Sequence, residues 1–461
     1  MNILLINPLW SKDTKSIFRY LYGVFPPLGI ALLASILEQD GHRVRIIDCA
    51  AHEIIPADII KHISEKFDFI GITGASQSAP MSYELAKVIK KNFDTPIIMG
   101  GIHATAMPDE VIGNPYIDIC VRAEGEETIK EIVMNKALST IKGISYKADG
   151  RVIHNPNREP IADLDSYPLP AYHLLPMKLY RSMLGVSIKW PSIGLIISRG
   201  CPGKCEYCYP NSLGDKVRMK SPGRILEELL LLKNDYRFKE VDFYDDTFTF
   251  FKNKVVEICD LLIQNKVGLT WSCLTRPDFV DEPLLKRMKE AGCHQLMYGI
   301  ESGSSEIRKK INKKVDVDFK KIIKMTQRSG IQVRATYMIG NYDERYEDVL
   351  KTISFAKYVN SDLAVFNVCT PFPGTALYRR LEAEGRILTE DWSKYDFFNV
   401  VFKHPYLTAK EIIYLYKQAN KEFYFRPIIF IRQLMALYNF NRMILLFRIS
   451  IAIIKGLINW R

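Results

Sequence analysis

The sequence predicts an α/β protein with two parallel sheets and a helical carboxyl-terminal region. Short apolar strands alternate with helix-length segments twice along the 461 residues, first before residue 137 and again after residue 190. Strands that alternate with helices of this length are typical of parallel sheets joined by crossover helices. A proline-rich stretch separates the two series, as a connector separates domains. We therefore expect four regions, at residues 1–136, 137–190, 191–400 and 401–461.

The first series predicts a doubly wound, Rossmann-like sheet. Strands are expected at residues 2–7, 42–48, 69–73, 96–99 and 117–121, and helices at 27–39, 57–66, 82–92 and 126–135. In such sheets ligands bind at the carboxyl ends of the strands, where small residues let a flat ligand approach the backbone. The alternative is that the glycines only form tight turns. The candidate binding residues at this edge are Gly74, Ser76, Gly100, Gly101, Glu124 and Gly125.

The second series predicts a partial barrel. Strands are expected at residues 193–198, 240–244, 269–273, 295–300, 332–339 and 363–369, and helical patterns lie between them. Six such units make a (β/α)6 sheet, similar to the eightfold TIM barrel but shorter. Because the active sites of these barrels lie at the carboxyl ends of the strands, we expect the functional residues there.

Charge and cysteine content narrow the class of protein. The amino end has no basic and apolar export signal, so the nine cysteines indicate a reducing, cytoplasmic setting and not a disulfide scaffold. The net charge of +11 is uneven, since six basic residues and no acidic one lie between Phe423 and the carboxyl end. A local basic surface of this kind does not indicate nucleic-acid binding.

Three cysteines stand close together directly after the first strand of the second series. Cys201, Cys205 and Cys208 have the spacing C-x3-C-x2-C in a loop with Gly and Pro. Three thiolates can ligate three irons of a [4Fe-4S] cluster and leave the fourth iron open for reaction. A structural zinc site would need a fourth Cys or His, and the next twenty residues contain neither. The spacing therefore favours an open iron–sulfur cluster over zinc or plain packing.

At these residues the sequence resembles the radical S-adenosylmethionine (SAM) superfamily, whose signature has an aromatic residue, here Tyr207, before the third cysteine. The resemblance implies that SAM chelates the open iron and that one-electron reduction yields a 5′-deoxyadenosyl radical, which abstracts hydrogen from the substrate. It also implies an electron donor such as flavodoxin or ferredoxin. The protein supplies position and excludes water, because the reactive chemistry belongs to the cofactors.

Further barrel motifs resemble the parts of this superfamily that hold SAM. Asp245 and Asp246 follow the second strand, where relatives contact the methionine amino group. Arg276, after the third strand, resembles an arginine that pairs with the methionine carboxylate. Glu301 and Ser302 end the fourth strand, near the ribose or methionine. Each has an ordinary structural alternative: helix caps for the acidic residues and a surface ion pair for the arginine.

The first 136 residues resemble the cobalamin-binding domain found ahead of one subclass of these enzymes. The matching motifs are Phe25–Gly29, Gly41–Val44, Gly100–Thr105 and Arg122–Glu126. Many cobalamin proteins carry D-x-H-x-x-G after the first strand, where the histidine binds cobalt from below. Here the loop begins Asn7–Lys12 without histidine, so cobalamin is expected to bind without that ligand. His103 is an alternative ligand, although a histidine that stabilises a turn is favoured.

The final segment, Phe425–Trp460, is apolar with Arg or Lys every six to ten residues. Its longest uncharged piece has nine residues, too few to span a bilayer. The pattern predicts an amphipathic helix on the inner face of the membrane, which would make the enzyme peripheral. The alternative is a helical cap folded onto the barrel.

Together these features predict a cobalamin-dependent radical SAM methyltransferase. The predicted substrate is a hydrophobic small molecule, lipid-like or polycyclic, with an unactivated carbon that is methylated or otherwise remodelled. One alternative is a radical cyclase or ring-rearranging enzyme that transfers no methyl group. Another, from a different class, is a non-catalytic cobalamin sensor, which the intact triad argues against. A tRNA methylthiotransferase is set aside, because relatives of that kind carry further cluster cysteines and only Cys49 and Cys120 precede this triad.

Overall fold

The computed structural model describes residues 1–10, 23–183, 186–209, 214 and 216–429. Two sheets organise this part of the chain, one of seven strands and one of six. Apolar clusters cover both faces of the first sheet and the outer face of the second.

The first sheet contains the strands β1 (Asn2–Asn7), β2 (Arg43–Asp48), β3 (Phe69–Thr73), β4 (Ile97–Gly100), β5 (Ile119–Val121), β6 (Ile144–Ala148) and β7 (Arg151–His154). Their spatial order is β2-β1-β3-β4-β5-β6-β7. Strands β1 to β5 are parallel, and the order reverses between β1 and β3, where sheets of this kind bind ligands. The β6–β7 hairpin falls in the region expected to be a connector, but it pairs with the open edge of β5 and extends the sheet.

Helices cover the first sheet as its alternating pattern predicts. They are α1 (Leu28–Gln39), α2 (Cys49–His52), α3 (Ala79–Lys90), α4 (Ile102–Ala106), α5 (Pro108–Gly113) and α6 (Glu126–Val133). Helices α1 and α6 pack on one face and α3 and α5 on the other, because alternate strand residues point to opposite sides. The helix expected at residues 57–66 is a 3-10 helix, Pro56–His62, a form that suits short segments.

The second sheet is a curled, fully parallel half-barrel. Its strands are β8 (Ser192–Leu195), β11 (Glu240–Phe243), β12 (Thr270–Thr275), β13 (Cys293–Glu301), β14 (Gln332–Ile339) and β15 (Leu363–Val368). They lie in the order β15-β14-β13-β12-β11-β8. Two short strands, β9 (Ser198–Arg199) and β10 (Arg218–Met219), form a separate antiparallel pair after β8. The predicted fold class, a Rossmann-like sheet followed by a six-stranded partial barrel, is confirmed.

Helices accompany the half-barrel, and most of them pack on its outer face. They are α7 (Pro222–Asn234), α8 (Lys252–Gln264), α9 (Glu282–Glu290), α10 (Ser305–Lys310), α11 (Phe319–Arg328), α12 (Tyr346–Val359), α13 (Ala376–Ala383) and α14 (Ala409–Tyr424). Helix α14 packs beside α12 and contributes Ile412, Leu415 and Phe423 to the apolar core. Most of the predicted membrane-surface segment, residues 430–461, lies outside the described residues. No helix in the described ranges is long and apolar enough to cross a bilayer.

The connector ties the two sheets together. The Tyr180 hydroxyl donates to the Asp48 carboxylate at the end of β2 at 2.8 Å, and the Tyr172 hydroxyl donates to Glu228 on α7 at 2.7 Å. A backbone bridge joins Val24, ahead of α1, to Arg181. These contacts fix the carboxyl edge of the first sheet beside the start of the half-barrel.

Candidate functional site

The loop that carries the three cysteines begins where β9 ends. We call residues 199–209 the triad loop. Gly200 has a φ of +90°, and a Cβ there would lie 2.7 Å from the Lys216 carbonyl oxygen. Only glycine fits both the left-handed backbone and this close approach. The loop thus turns sharply before Cys201 and stands at the carboxyl end of the strands, where the sequence placed it.

The thiols of Cys201 and Cys205 face the same point. A Cβ built on Gly203 would lie 3.5 Å from the Cys201 Sγ and 3.7 Å from the Cys205 Sγ. Burial raises the pKa of the Cys205 thiol and raises that of Cys208 to about 12. Bound iron would reverse this by stabilising the thiolates.

The three sulfur atoms are not as close together as the ligands of a single metal ion would be. They do not all lie within 4.8 Å of one another. A zinc ion with bonds of about 2.3 Å would bring its thiolates to about 3.8 Å apart. A wider spacing is what a ligand set for three separate irons requires.

Arg276, predicted to pair with the methionine carboxylate of SAM, lies close to the thiols of Cys201 and Cys205. Its Nη1 lies 3.6 Å from the same Cβ position on Gly203. Its other nitrogens are held by Asp278, at 3.0 and 2.7 Å, and by the Lys314 carbonyl at 2.7 Å. The guanidinium is therefore fixed in one orientation with Nη1 directed towards the cysteines, ready for an anionic group.

Glu301 is held by a partner that the sequence did not indicate. Its carboxylate is 3.1 Å from Lys313 Nζ, and both side chains are largely buried. A Cβ on Gly299 would lie 2.4 Å from Glu301 Oε1 and 2.9 Å from Lys313 Nζ, so glycine leaves the pair its space. Lys313 follows a run of basic residues, and nothing in its spacing links it to Glu301.

Ser302 is an internal anchor of the same strand end. Its hydroxyl lies 3.1 Å from Thr352 Oγ1 and donates to Glu344 at 3.3 Å. Because the hydroxyl is buried and bonded on both sides, Ser302 acts on the site only through the backbone of its neighbour Glu301.

Asp245 binds the strand that leads into the triad loop. Its Oδ1 accepts from Ile197 N at 3.0 Å and from the backbone and hydroxyl of Ser198 at 2.5 Å each. Its Oδ2 is buried and has no hydrogen-bond partner among the described residues. Burial raises the pKa of Asp245 to about 7. One oxygen thus positions the loop, and the other remains available for a donor such as an ammonium group.

Asp246 and Tyr207 are both close to the cysteines, Asp246 to Cys208 and Tyr207 to Cys205. Burial raises the pKa of Asp246, whose charge in turn adds to the raised pKa of Cys208. The Tyr207 ring packs against apolar side chains that include Met338 and Leu377. The aromatic position of the motif therefore anchors the loop in the barrel.

A cavity of about 300 Å³ lies between the two sheets. Four of the residues predicted for the first domain line it: Gly100, Gly101, Glu124 and Gly125. The opposite wall is formed by residues 196–199, which lead directly into Cys201. Most of the lining is apolar, and Gly29 on α1 leaves open space where another residue would carry a Cβ. The cavity thus adjoins the cysteine site and suits a mainly apolar group.

Two of the predicted residues are not brought to this cavity. Gly74 accepts a backbone hydrogen bond from His103, and a Cβ on it would lie 2.9 Å from the Met99 side chain. The Ser76 hydroxyl is 3.2 Å from His103 Nδ1. Both residues build the turn after β3 and do not line the cavity.

His103 is enclosed by protein groups. Its Nε2 lies 3.1 Å from the Tyr83 hydroxyl, and its ring meets Trp392 edge-on at 5.4 Å. With Ser76 at Nδ1, both nitrogens face partners in the protein. This arrangement supports the structural role and not the alternative of a cobalt ligand.

Glu124 carries an ion network between the two sheets. Arg199 donates to Glu124 at 2.9 Å and to Glu126 at 2.6 Å, and Arg218 donates to Glu124 at 3.0 Å. Burial opposes ionisation, but the hydrogen bonds from Arg218 and Ile161 and the charge of Arg199 lower the pKa of Glu124. The carboxylate lines the cavity, yet its oxygens already hold the two arginines.

A second acidic cluster lies at the opposite end of the half-barrel. His294 Nε2 is 2.8 Å from Glu240, and Asp242 is close to both. The carboxylates already accept from the connector and from β12, through Ile188 N, Lys189 N, Ser182, Ser187, Thr270 and Ser272. The cluster therefore locks the connector onto the barrel, and its oxygens are occupied by protein donors.

The family of the chain is established by its matches to known proteins. Residues 14–133 match the B12 binding domain, and residues 195–356 match the radical SAM superfamily. An uncharacterised methyltransferase of Pyrococcus horikoshii is 36% identical over 454 residues, which cover 95% of this chain and 96% of the relative. The chain therefore belongs to the radical SAM enzymes that carry a B12-binding domain. The predictions of this family and of an enzyme are confirmed.

More distant relatives share most of the chain. The anaerobic magnesium-protoporphyrin IX monomethyl ester cyclase of Rubrivivax gelatinosus is 27% identical over 434 residues, covering 90% of this chain and 75% of the relative. Among solved structures, the cobalamin-dependent SAM radical enzyme OxsB, with aqua-cobalamin and SAM bound, superposes with a TM-score of 0.75 at 15% identity. That match covers 98% of this chain and 72% of the other.

A radical SAM methyltransferase from Kitasatospora setae, with cobalamin and a [4Fe-4S] cluster bound, gives a TM-score of 0.68 at 16% identity. The match covers 83% of this chain and 75% of the other. At these identities the solved structures establish the shared fold. The three predicted cofactors are confirmed at the level of the family.

Proposed function

We propose that this enzyme methylates an unactivated carbon of an apolar small molecule. Cys201, Cys205 and Cys208 would hold a [4Fe-4S] cluster, and cobalamin would occupy the cavity between the sheets. In the methyltransferases of this family the bound groups together supply a carbon radical and a methyl group. The observation that carries the proposal is the position of residues 196–199, which line the cavity and run directly into the cysteines.

The residues around the thiols fit the methionine end of SAM. Arg276 Nη1 would bind the carboxylate, because its other nitrogens are already fixed by Asp278 and Lys314. The partnerless Oδ2 of Asp245 would accept from the amino group. Glu301, held by Lys313, would bind a hydroxyl of the ribose.

The lining of the cavity supports cobalamin bound there without a histidine ligand to the metal. No histidine is among the described residues that line it, and His103 is held by Ser76 and Tyr83. The apolar walls would keep water away from the reactive face of the bound cobalamin. Gly29 leaves open space along one wall of the cavity, where a ring could lie against the backbone.

The concave face of the half-barrel supports an apolar substrate. Leu274, Met297 and Val365 lie on it, because they alternate with residues of the outer core. All three are partly exposed, and Ile196 beside them is 45% exposed. The same face also carries the partly exposed Arg334, Thr336 and Asn367, so a substrate bound there would meet both apolar and polar side chains.

The relatives named as cyclases favour one second candidate, a ring-forming enzyme that transfers no methyl group. The two reactions are separated by the fate of the label. With SAM labelled at its methyl group, a methyltransferase gives a labelled product, and a cyclase gives an unlabelled product with two hydrogens fewer. Mass spectrometry of a cell extract that has been treated anaerobically with the reconstituted enzyme detects both the label and the loss of two hydrogens. Cleavage of SAM without any new product would contradict both candidates.

We further propose that the carboxyl-terminal segment binds the inner face of the membrane. The described part supports this, because Phe425 is 84% and Ile428 42% exposed beside Arg426. A chain ending at Ile429 should lose binding to anionic vesicles. A full-length variant with Arg442, Arg448 and Lys455 changed to Gln should bind more weakly than the wild type. Unchanged sedimentation of the shortened chain with vesicles would contradict this proposal.

A further inference from the structure

Phe397 has a backbone conformation that is unfavourable for its side chain. Its φ is +70°, and no other aromatic residue in the described ranges has a left-handed backbone. This conformation is rare for a bulky residue and costs free energy. The Phe397 ring is also 41% exposed, and the ring of Phe398 beside it is 43% exposed. Because neither backbone strain nor exposed apolar surface favours folding, an outlier of this kind indicates a functional position.

Hydrogen bonds on both sides hold the strained residue in place. The Asp396 carboxylate accepts from Phe398 N at 2.9 Å, from Asn399 N at 3.0 Å and from Asn399 Nδ2 at 2.8 Å. The Phe397 carbonyl accepts from Val368 N at 2.8 Å. A strained conformation persists only where its surroundings fix it, and these four bonds do so. The Phe397 ring is therefore held in one orientation.

This ring lies at the carboxyl end of the half-barrel. Val368 is the last residue of β15, the edge strand of that sheet. The Phe397 ring meets the ring of Phe372, in the segment after β15, with centroids 5.1 Å apart. Two residues further on, the Tyr209 ring of the triad loop lies over Gly374, where a Cβ would be only 2.8 Å from it. We call the rings of Tyr209, Phe372 and Phe397 the aromatic wall, which extends from the triad loop to the open edge of the half-barrel.

The aromatic wall also borders the first sheet. Phe372 packs against an apolar cluster that contains Tyr378, Trp392 and Tyr395 together with Ala79, the first residue of α3. A molecule on the wall therefore lies near both the cysteine site and the flank of the first sheet. A substrate needs such a position, because the proposed reaction uses groups held by both parts of the chain.

We propose that the Phe397 ring contacts the substrate and selects one that has a planar, conjugated ring system. The inference rests on the proposed function and names the class of its substrate. Contacts between aromatic rings contribute more than the burial of their area. A saturated chain would gain only that burial, which any apolar side chain on an unstrained backbone would supply equally well. A ring fixed in one orientation suits a rigid, flat partner, because little further ordering is needed on binding.

The test compares two ligands of the reconstituted full-length enzyme, anthracenecarboxylate and its fully hydrogenated counterpart. Equilibrium dialysis gives both dissociation constants. The wild type should bind the flat acid about fivefold more tightly than the saturated one. Phe397→Leu keeps an apolar side chain on the same backbone but has no ring, so this preference should disappear. Phe397→Tyr keeps the ring and should retain the preference. An unchanged preference in the Leu variant, or an equal loss in the Tyr variant, would overturn the proposal.

Phe398→Leu is the matched control. It makes the same change one residue along the chain, at a ring that is equally exposed but packs against Tyr416 of α14, with centroids 6.3 Å apart. This variant should keep the wild-type preference for the flat acid. Equal loss in the two Leu variants would overturn the proposal, because any exposed ring would then serve.

The product gives a second measure of the substrate class. The product formed in the cell extract should absorb in the near ultraviolet or the visible, as conjugated rings do. A product without such absorbance would overturn the proposal. An enzyme that cleaves no SAM would contradict the proposed function instead, and the dialysis experiment needs no SAM. If Phe397→Leu kept the preference but lost binding to phosphatidylglycerol vesicles, the ring would belong to a membrane contact and the proposal would be overturned.

Discussion

At the scale of single residues, the site depends on side chains that point to one place from separate strands. Cys201 and Cys205 face the Nη1 of Arg276, and Asp245 holds the backbone that precedes them. Lys313 keeps Glu301 in position across the mouth of the barrel. Each contact fixes a group that would otherwise lose orientation, and fixed orientation is the main contribution a protein makes to this chemistry.

Cys205→Ala should remove the cluster and the cleavage of SAM together. Anaerobic reconstitution of the wild type should give about four irons per chain, because a cubane cluster contains four. The variant should hold far less iron and form no 5′-deoxyadenosine. Cys259→Ala, a buried cysteine on α8, is the control and should keep both. Cleavage of SAM by the Cys205 variant would refute the assignment of the triad.

Glu344 should make stability depend on pH. Its Oε2 accepts from the backbone of Gly340 and Asn341 at 2.9 Å each, and Ser302 donates to its Oε1. Burial raises the pKa of Glu344 from 4.5 to about 7. A raised pKa means that the folded state keeps the proton which the unfolded chain loses. This contribution is therefore complete below about pH 4.5 and is lost as the pH rises through about 7.

Glu344→Gln should abolish that loss, because the amide cannot ionise; its oxygen can keep the two backbone hydrogen bonds, while its nitrogen would donate to Ser302 Oγ instead of accepting from it. The stability of the variant relative to the wild type should rise by about 3 kcal/mol between about pH 5 and about pH 8. Thermal unfolding of both proteins at the two pH values measures the difference. An equal change in the two proteins would mean that Glu344 titrates normally.

At the scale of elements, short segments between strands and helices build the site. Most of the contacts that hold the site together come from the residues between α10 and α11. Ile311, Asn312 and Lys314 bind the triad loop and Arg276 through the backbone or an amide, and Lys313 binds Glu301. Four consecutive residues thus hold the cysteine loop, the arginine and the glutamate in one arrangement.

Asn312→Gly should loosen the triad loop without straining the backbone. Asn312 has a φ of 56°, which glycine adopts freely, so the variant loses only the hydrogen bond to Lys204. We expect iron to be lost several-fold faster to an added chelator. The control is Asn135→Gly, which has a φ of 54° far from the site. Equal rates of iron loss in the two variants would show that the amide does not support the loop.

At the scale of the whole molecule, the two sheets meet at the cavity, and neither forms it alone. The ion network of Glu124, Arg199 and Arg218 closes one side, and the connector closes another. A ligand in this cavity touches both sheets, so its binding should stabilise them as a unit.

Gly29→Leu should block cobalamin while leaving the fold intact. A side chain there enters open cavity, and it meets no protein atom within 4 Å at its Cβ. The wild type should bind hydroxocobalamin and unfold at a higher temperature with it, whereas the variant should show neither the visible absorbance nor the shift. Gly113→Leu, also without neighbours within 4 Å and outside the cavity lining, is the control and should bind normally. Normal binding by the Gly29 variant would place cobalamin elsewhere.

The sequence by itself determined the two sheets, the triad and the motifs at the strand ends. Strand and helix periodicity are local properties, and the spacing of Cys201, Cys205 and Cys208 lies within eight residues. Such features can be predicted because neighbours in the chain set them. For the same reason the sequence could predict that Arg276, Asp245 and Glu301 lie at the carboxyl ends of the half-barrel strands.

Only the tertiary structure decided what those residues touch. Lys313 opposes Glu301 because a loop folds back over Gly299. Glu124 meets Arg199 because both sheets border one cavity. Gly74 and Ser76 follow a strand end like the cavity glycines, yet the turn directs them to His103. These contacts join residues far apart in the chain, and their partners depend on how whole elements pack, which no local pattern records.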